Sequence, residues 1–169
     1  GRVAVNVAGP QIQQVNFVDI VTKALDEAHL DADRLELEIT ESFVTNRTDV
    51  SIEQLSHLRT LGIEIAIDDF GTGYSSLSYL KQLPIDKLKI DQAFVRDIPD
   101  DPNDMAIAKA IIAMGKALGM KVIAEGVETE EQGSFLRQQG CEFAQGFYFS
   151  RPLSVDAVTE LLERQKVRA

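Results

Sequence analysis

Cysteine is almost missing from this chain. Cys141 is the only one, which excludes an internal disulfide and a cysteine-based metal site. Basic residues are also scarce, with 17 Lys and Arg against 27 Asp and Glu and a net charge of −10. That balance argues against nonspecific binding to polymeric nucleic acid or an anionic membrane. It leaves room for a small anionic ligand whose contact is mediated by metal ions. No apolar run approaches the roughly 20 residues of a membrane span. No signal peptide is read, and the expected compartment is cytoplasmic. No Gly-rich dinucleotide fingerprint follows the first strand. The hydroxyl-rich stretch 71–76 (GTGYSS) lacks the Gly-Lys-Ser/Thr ending of a phosphate-binding loop. With no linker or low-complexity segment, 169 residues at 44% hydrophobic and 26% charged read as one globular domain with a full core. An initiator Met is also lacking, and Gly1 opens within what reads as a strand, so a piece of a longer polypeptide is expected.

What is present is a regular alternation of strand and helix patterns. Residues 2–7 (RVAVNV) alternate, with Val3, Val5 and Val7 on one face. An apolar stripe of Phe17, Ile20, Val21, Ala24, Leu25 and Ala28 predicts a helix ending near Leu30. Residues 35–40 (LELEIT) alternate again, and a helix over about 50–61 ends at Gly62. Strand 63–69, a short helix over 75–82 and strand 87–91 follow. A long helix from about 100 to 119, strand 121–125, helix 130–139, strand 143–149 and helix 155–164 complete six βα units, the spacing of a parallel α/β fold.

The strand faces narrow the fold. If the alternating Val, Leu and Ile residues pack outward against helices, the opposite faces present Asn6, Glu36, Glu38, Glu64, Asp68, Lys87, Lys89, Asp91, Glu125 and Gln145. So many polar groups would be expensive to bury in an open sheet covered on both faces. In a (β/α)₈ TIM-type barrel, polar residues late in the strands line the mouth of the active site. A barrel is therefore expected, here incomplete. Six βα units fall short of eight strands and about 250 residues, and the missing part is expected before Gly1. Open sheet edges invite pairing with a second chain, so a homodimer is expected.

Strand 63–69 carries the sharpest chemical signal. It ends in Asp68 and Asp69, two adjacent anions that repel and lose hydration in a poorly solvated place. A bound cation relieves that conflict, and hard divalent ions with oxygen ligands, Mg²⁺ or Mn²⁺, suit carboxylates. Gly71 and Gly73 allow a sharp turn and close approach to a ligand. The competing reading is an Asp- and Gly-rich turn that caps the next helix.

Six stretches then resemble one family: Asn6-Val-Ala8, Leu37-Glu-Ile-Thr-Glu-Ser42, Asp68-Asp-Phe-Gly-Thr-Gly-Tyr-Ser-Ser76, Leu83-Pro-Ile-Asp-Lys-Leu-Lys-Ile-Asp91, Ala124-Glu-Gly-Val-Glu-Thr129 and Gln145-Gly-Phe-Tyr-Phe-Ser150. Together, and in this order, they resemble the EAL family of bacterial phosphodiesterases, which open cyclic di-GMP (c-di-GMP) to linear 5′-pGpG. The resemblance implies a two-metal site. Asn6, Glu38 and Asp68 would hold one ion, while Asp68 would bridge to a second completed by Asp69 and Glu125. Two ions about 4 Å apart can activate a water and neutralise charge on phosphate oxygens. Lys89 would contact the attacking water or the phosphate, and Asp91 would fix it. Glu41 would anchor the loop Asp68–Tyr74, which contains Gly71, Thr72 and Gly73, and Glu128 and Gln145 would support the site or touch substrate. Lys89 with Asp91 can alternatively be read as a structural ion pair, Glu128 as a residue of a helix first turn, and Gln145 as a partner of backbone groups.

Two features depart from the family pattern. The Glu-Ala-Leu motif, whose glutamate would be a further ligand of the first metal, lies upstream of the asparagine motif and is absent here. Position 8 is Ala where the family more often has Ser. The alternative function is a catalytically incompetent EAL domain that binds c-di-GMP, or a partner protein, without turnover. A barrel piece serving only in assembly is the third reading. Sensory or diguanylate cyclase (GGDEF) domains often accompany the family.

Overall fold

The computed structural model describes residues 1–45, 48–73 and 80–166. Six strands form one parallel sheet in sequential order: β1 (Val3–Asn6), β2 (Leu35–Thr40), β3 (Glu64–Phe70), β4 (Lys87–Ile90), β5 (Lys121–Ala124) and β6 (Phe143–Ala144). Strand after strand adds to the same side, and the sheet curls into a half-barrel with helices outside it. The helices are α1 (Gly9–Ile12), α2 (Phe17–Ala28), α3 (Glu41–Thr45), α4 (Asp49–Thr60), α5 (Pro102–Ala117), α6 (Glu130–Gln138) and α7 (Val155–Lys166). Most of the helix expected over 75–82, together with Tyr74, lies outside the described residues.

The core lies between the strands and these helices. Ile39, Ile65, Ile67, Leu88 and Ile90 are fully buried on the helix side of the sheet, beside Leu55 and Leu58 of α4 and Ile112 of α5. Their period-two spacing leaves the other face to charged residues. Val3 and Val5 of the same apolar set stay 54% and 42% exposed, because β1 is paired on one side only.

Helix starts follow capping chemistry. The Asp101 side chain accepts from the N–H groups of Asn103 and Asp104 ahead of α5, with Pro102 inside the first turn. Before α6, Thr129 accepts from Gln132 N–H (3.2 Å), while Gln132 Oε1 accepts from the N–H groups of Thr129 (3.0 Å) and Glu128 (2.7 Å). The Gln132 amide also donates to Arg96 O (2.9 Å). One glutamine thus ties the loop after β5 to the loop after β4.

Two local features depart from the sequence pattern. Strand β6 was expected over 143–149 and has only two residues. Gly146, at φ 152°, turns the chain back over the loop after β5, and a Cβ there would lie 2.2 Å from Val127 O. Tyr148 N–H then donates to Val127 O (3.0 Å) instead of extending the ladder. The second feature is a bulge in β3. Ile67 pairs with Leu88 but Phe70 with Ile90, so three steps on β3 match two on β4. The extra residue is Asp69, held at φ 53°.

Candidate active site

The inward side chains form two charged layers. In the inner layer Lys87 contacts Glu36 and lies 2.6 Å from Glu64. Arg2 and Lys121 reach the same Glu64 at 2.8 and 3.0 Å. Burial works to raise the Glu64 pKa, but Lys87 and Lys121 outweigh it and hold the group below the ordinary glutamate value. Arg2 and Lys121 share strand parity with the other inward residues, so their inward placement was readable from the sequence, although their convergence on Glu64 was not.

The outer layer sits two residues further along on β2 and β4 and four further along from Glu64 and Lys121, at the carboxyl ends of the strands. Lys89 Nζ lies 2.6 Å from Glu38 Oε1, 2.7 Å from Asp68 Oδ1 and 2.7 Å from Glu125 Oε1. Burial opposes its charge, yet the bonds to Asp68, Glu125 and Glu38 push its pKa well above the ordinary lysine value. Glu125 is pushed the other way from most ion-paired acids. Burial raises its pKa, the charges of Asp68 and Glu38 add to that, and Lys89 only partly offsets them. The Gln145 amide donates to Glu125 Oε1 at 2.5 Å.

The bulge decides where Asp69 goes. In a regular strand Asp68 and Asp69 would point to opposite faces. With one extra residue and a positive φ, both carboxylates join Glu125 in a single group, each offering an oxygen within 4.8 Å of the others. The pKa of Asp69 is raised by burial, by a hydrogen bond with Asp91 and by the charges of Asp68 and Asp91. Asp91 itself accepts from Ala93 N–H (2.7 Å), capping the turn Gln92–Phe94. This corrects the expectation that Asp91 fixes Lys89. The chain leaves the strand at Asp91, which faces Asp69 and the following turn, while Glu38, Asp68 and Glu125 hold the lysine.

Behind this layer Glu41, buried at the start of α3, accepts from Gly71 N–H (2.9 Å) and Gly73 N–H (3.0 Å) through Oε2. Thr72 Oγ1 donates to Asp69 O (2.9 Å). The remaining expected residues sit apart. Asn6 is exposed at the end of β1, in register with Glu38. Glu128 is exposed on the wall of a cavity of about 460 Å³ that Asp69, Glu125 and Gln145 also line.

This donor set suits a hard divalent cation. All the converging ligands are carboxylate oxygens, with no sulfur or imidazole among them. The pKa values of Asp69 and Glu125 are raised first by burial and then by neighbouring carboxylates, and a bound cation would favour their charged forms.

A curled parallel sheet with helices outside it places the chain in the TIM-barrel class. Within that class it belongs to the EAL domain family, whose model matches residues 1–152. It is 50% identical over 168 residues to cyclic di-GMP phosphodiesterase NbdA of Pseudomonas aeruginosa, a match that covers 99% of this chain and 22% of NbdA. The chain thus spans about a fifth of that curated relative. The solved PaMucR phosphodiesterase in complex with c-di-GMP is similar at TM-score 0.87 and 44% identity, over 93% of this chain and 64% of that one. The manganese and c-di-GMP complex of Klebsiella pneumoniae BlrP1 is similar at TM-score 0.81 and 38% identity, over 89% of this chain and 39% of that one.

Proposed function

We propose that this chain is a metal-dependent phosphodiesterase unit that opens c-di-GMP to linear 5′-pGpG. The observation that carries the proposal is the convergence of Glu38, Asp68 and Glu125 on Lys89, with Asp69 grouped beside Asp68 and Glu125, at the carboxyl ends of parallel strands. Its 50% sequence identity to a protein named as a cyclic di-GMP phosphodiesterase supports the substrate.

In the reaction a water oxygen bonds to phosphorus and the bond to the 3′ oxygen breaks. That oxygen leaves as a hydroxyl, and the phosphate stays on the 5′ side. Asn6, Glu38 and Asp68 would hold one divalent ion, Mg²⁺ or Mn²⁺, and Asp68, Asp69 and Glu125 a second. Such ions supply charge neutralisation at the phosphate oxygens and a water made acidic enough to attack.

The chain's own residues bind and orient. Lys89 stays protonated at neutral pH, because its acidic neighbours push its pKa up. It therefore serves as a fixed positive donor to the phosphate and not as a base. Gln145 fixes one oxygen of Glu125, and the Asp91 side chain faces that of Asp69. Glu41, through Gly71 and Gly73, keeps the turn that follows Asp69 in place. Glu128 lies where the cavity would receive the rest of the dinucleotide.

The test is turnover of c-di-GMP with Mg²⁺ or Mn²⁺, followed as pGpG by chromatography, beside Asp68→Ala. Turnover lost in the variant supports the proposal. Binding of the dinucleotide with no turnover in either protein refutes hydrolysis and leaves a binding module.

A further inference from the structure

Lys89 Nζ stands where three acids meet, 2.6 Å from Glu38 and 2.7 Å from both Asp68 and Glu125, with its side chain only 4% exposed. Asp68 and Glu125 are also two of the three acids whose oxygens could hold a metal ion together. A divalent ion sits about 2.0–2.6 Å from its oxygen ligands. An ion held by the same carboxylates would therefore lie close to the ammonium, where the two positive charges repel in a poorly solvated place.

We infer that Lys89 and a divalent cation compete for the same carboxylates, so that metal loading drives the Lys89 ammonium outward toward the phosphate. The inference rests on the proposed phosphodiesterase reading for what meets the ammonium there. The direction of movement follows from the neighbouring layer. Inward, the space is filled by Lys87, itself positive and held by Glu36 and Glu64. Outward lies the cavity lined by Asp69, Glu125 and Gln145. One side chain thus acts as an internal counter-ion for the acids and as a contact for substrate, and it takes the second role as a metal ion displaces it from the first.

This sets binding against activity. Lys89→Met removes the competing charge from a cluster of four acids, so it should bind Mn²⁺ about tenfold tighter or more while c-di-GMP hydrolysis is lost. Free Mn²⁺ measured by electron paramagnetic resonance gives the affinities. A second measurement needs no variant. Amine acylation of the unmodified protein, mapped by mass spectrometry, should find Lys89 protected in chelator and labelled once Mg²⁺ is added.

Equal or weaker Mn²⁺ affinity in the variant, or equal Lys89 labelling with and without Mg²⁺, overturns the inference. If the unmodified protein hydrolyses c-di-GMP while Lys89→Met binds Mn²⁺ no tighter, the phosphodiesterase reading stands and only the competition falls. If Lys89→Met binds tighter but the unmodified protein opens no c-di-GMP, the competition stands without that substrate.

Discussion

Lys87→Met is the substitution whose effect follows most directly from the two-layer interior. Glu36 and Lys87 have side chains only 7% and 9% exposed, and Lys87 is the ion-pair partner of Glu36 among the described residues. Glu64 is better served, since Arg2 and Lys121 reach it from more exposed positions. Removing the lysine charge therefore strands Glu36 and leaves Glu64 partly paired. Breaking a buried pair in this way costs about 3–5 kcal/mol. For a chain of this size that lowers Tm by roughly 6–20 °C. Replacing both partners has a different outcome, because no orphaned charge remains. Glu36→Gln combined with Lys87→Met should recover at least about 2 kcal/mol of the single-variant loss. Urea unfolding followed by circular dichroism, with an unchanged slope against denaturant, measures both. A loss below about 1 kcal/mol for Lys87→Met would refute the reasoning, since it would mean the inner layer is solvated enough to behave as a surface pair. A double variant no more stable than the single one would refute the assignment of the loss to Glu36.

The outer layer gives two further expectations. Asp69→Asn keeps a residue type that tolerates positive φ and removes like charge beside Asp68 and Asp91. It should raise Tm in chelator by about 1–2 °C, a small gain because Asp69 is exposed and solvent screens it, while pGpG formation falls. The pH dependence of stability in chelator should carry the sign of the raised carboxyl pKa values. Asp69 and Glu125 start from 3.8 and 4.5 and titrate higher when folded, so the folded state prefers their protonated forms. Their contribution is complete below those ordinary values and is lost as pH rises through the raised ones. Glu64 has the opposite sign, with stability present above 4.5 and lost as pH falls through its lowered folded value. Denaturant midpoints in chelator should therefore rise as pH falls from neutrality toward the ordinary Glu125 value of 4.5, and Glu125→Gln should flatten that rise. An unchanged slope in the variant would contradict the assignment.

Much of this arrangement was legible in the sequence because a parallel strand obeys a period of two. Val, Leu and Ile at alternate positions place Glu36 and Glu38, Lys87 and Lys89 on one face before any contact is known. The helix expected over 130–139 likewise is α6, Glu130–Gln138. The sequence pattern failed where the period breaks. Strict alternation sends Asp69 to the helix side, and only the pairing of β3 with β4 shows the extra residue that returns it to the side of Asp68 and Glu125. Strand β6 stops early for a related reason. Its alternation continues past Ala144, but the backbone at Gly146 is already committed to Val127.

Both breaks fall at the site, which follows from what the site requires. A regular strand end offers one inward carboxylate at a given height, and the grouping of Asp68, Asp69 and Glu125 needs two from the same strand. The bulge supplies the second by holding a non-glycine residue at φ 53°, a conformation that costs of order 1 kcal/mol. It also brings two anions together, against the preference of each for water. Neither feature stabilises the fold, and both make sense if a cation is bound there. The acids that fit the fold least well are thus the ones best placed for chemistry on a phosphodiester.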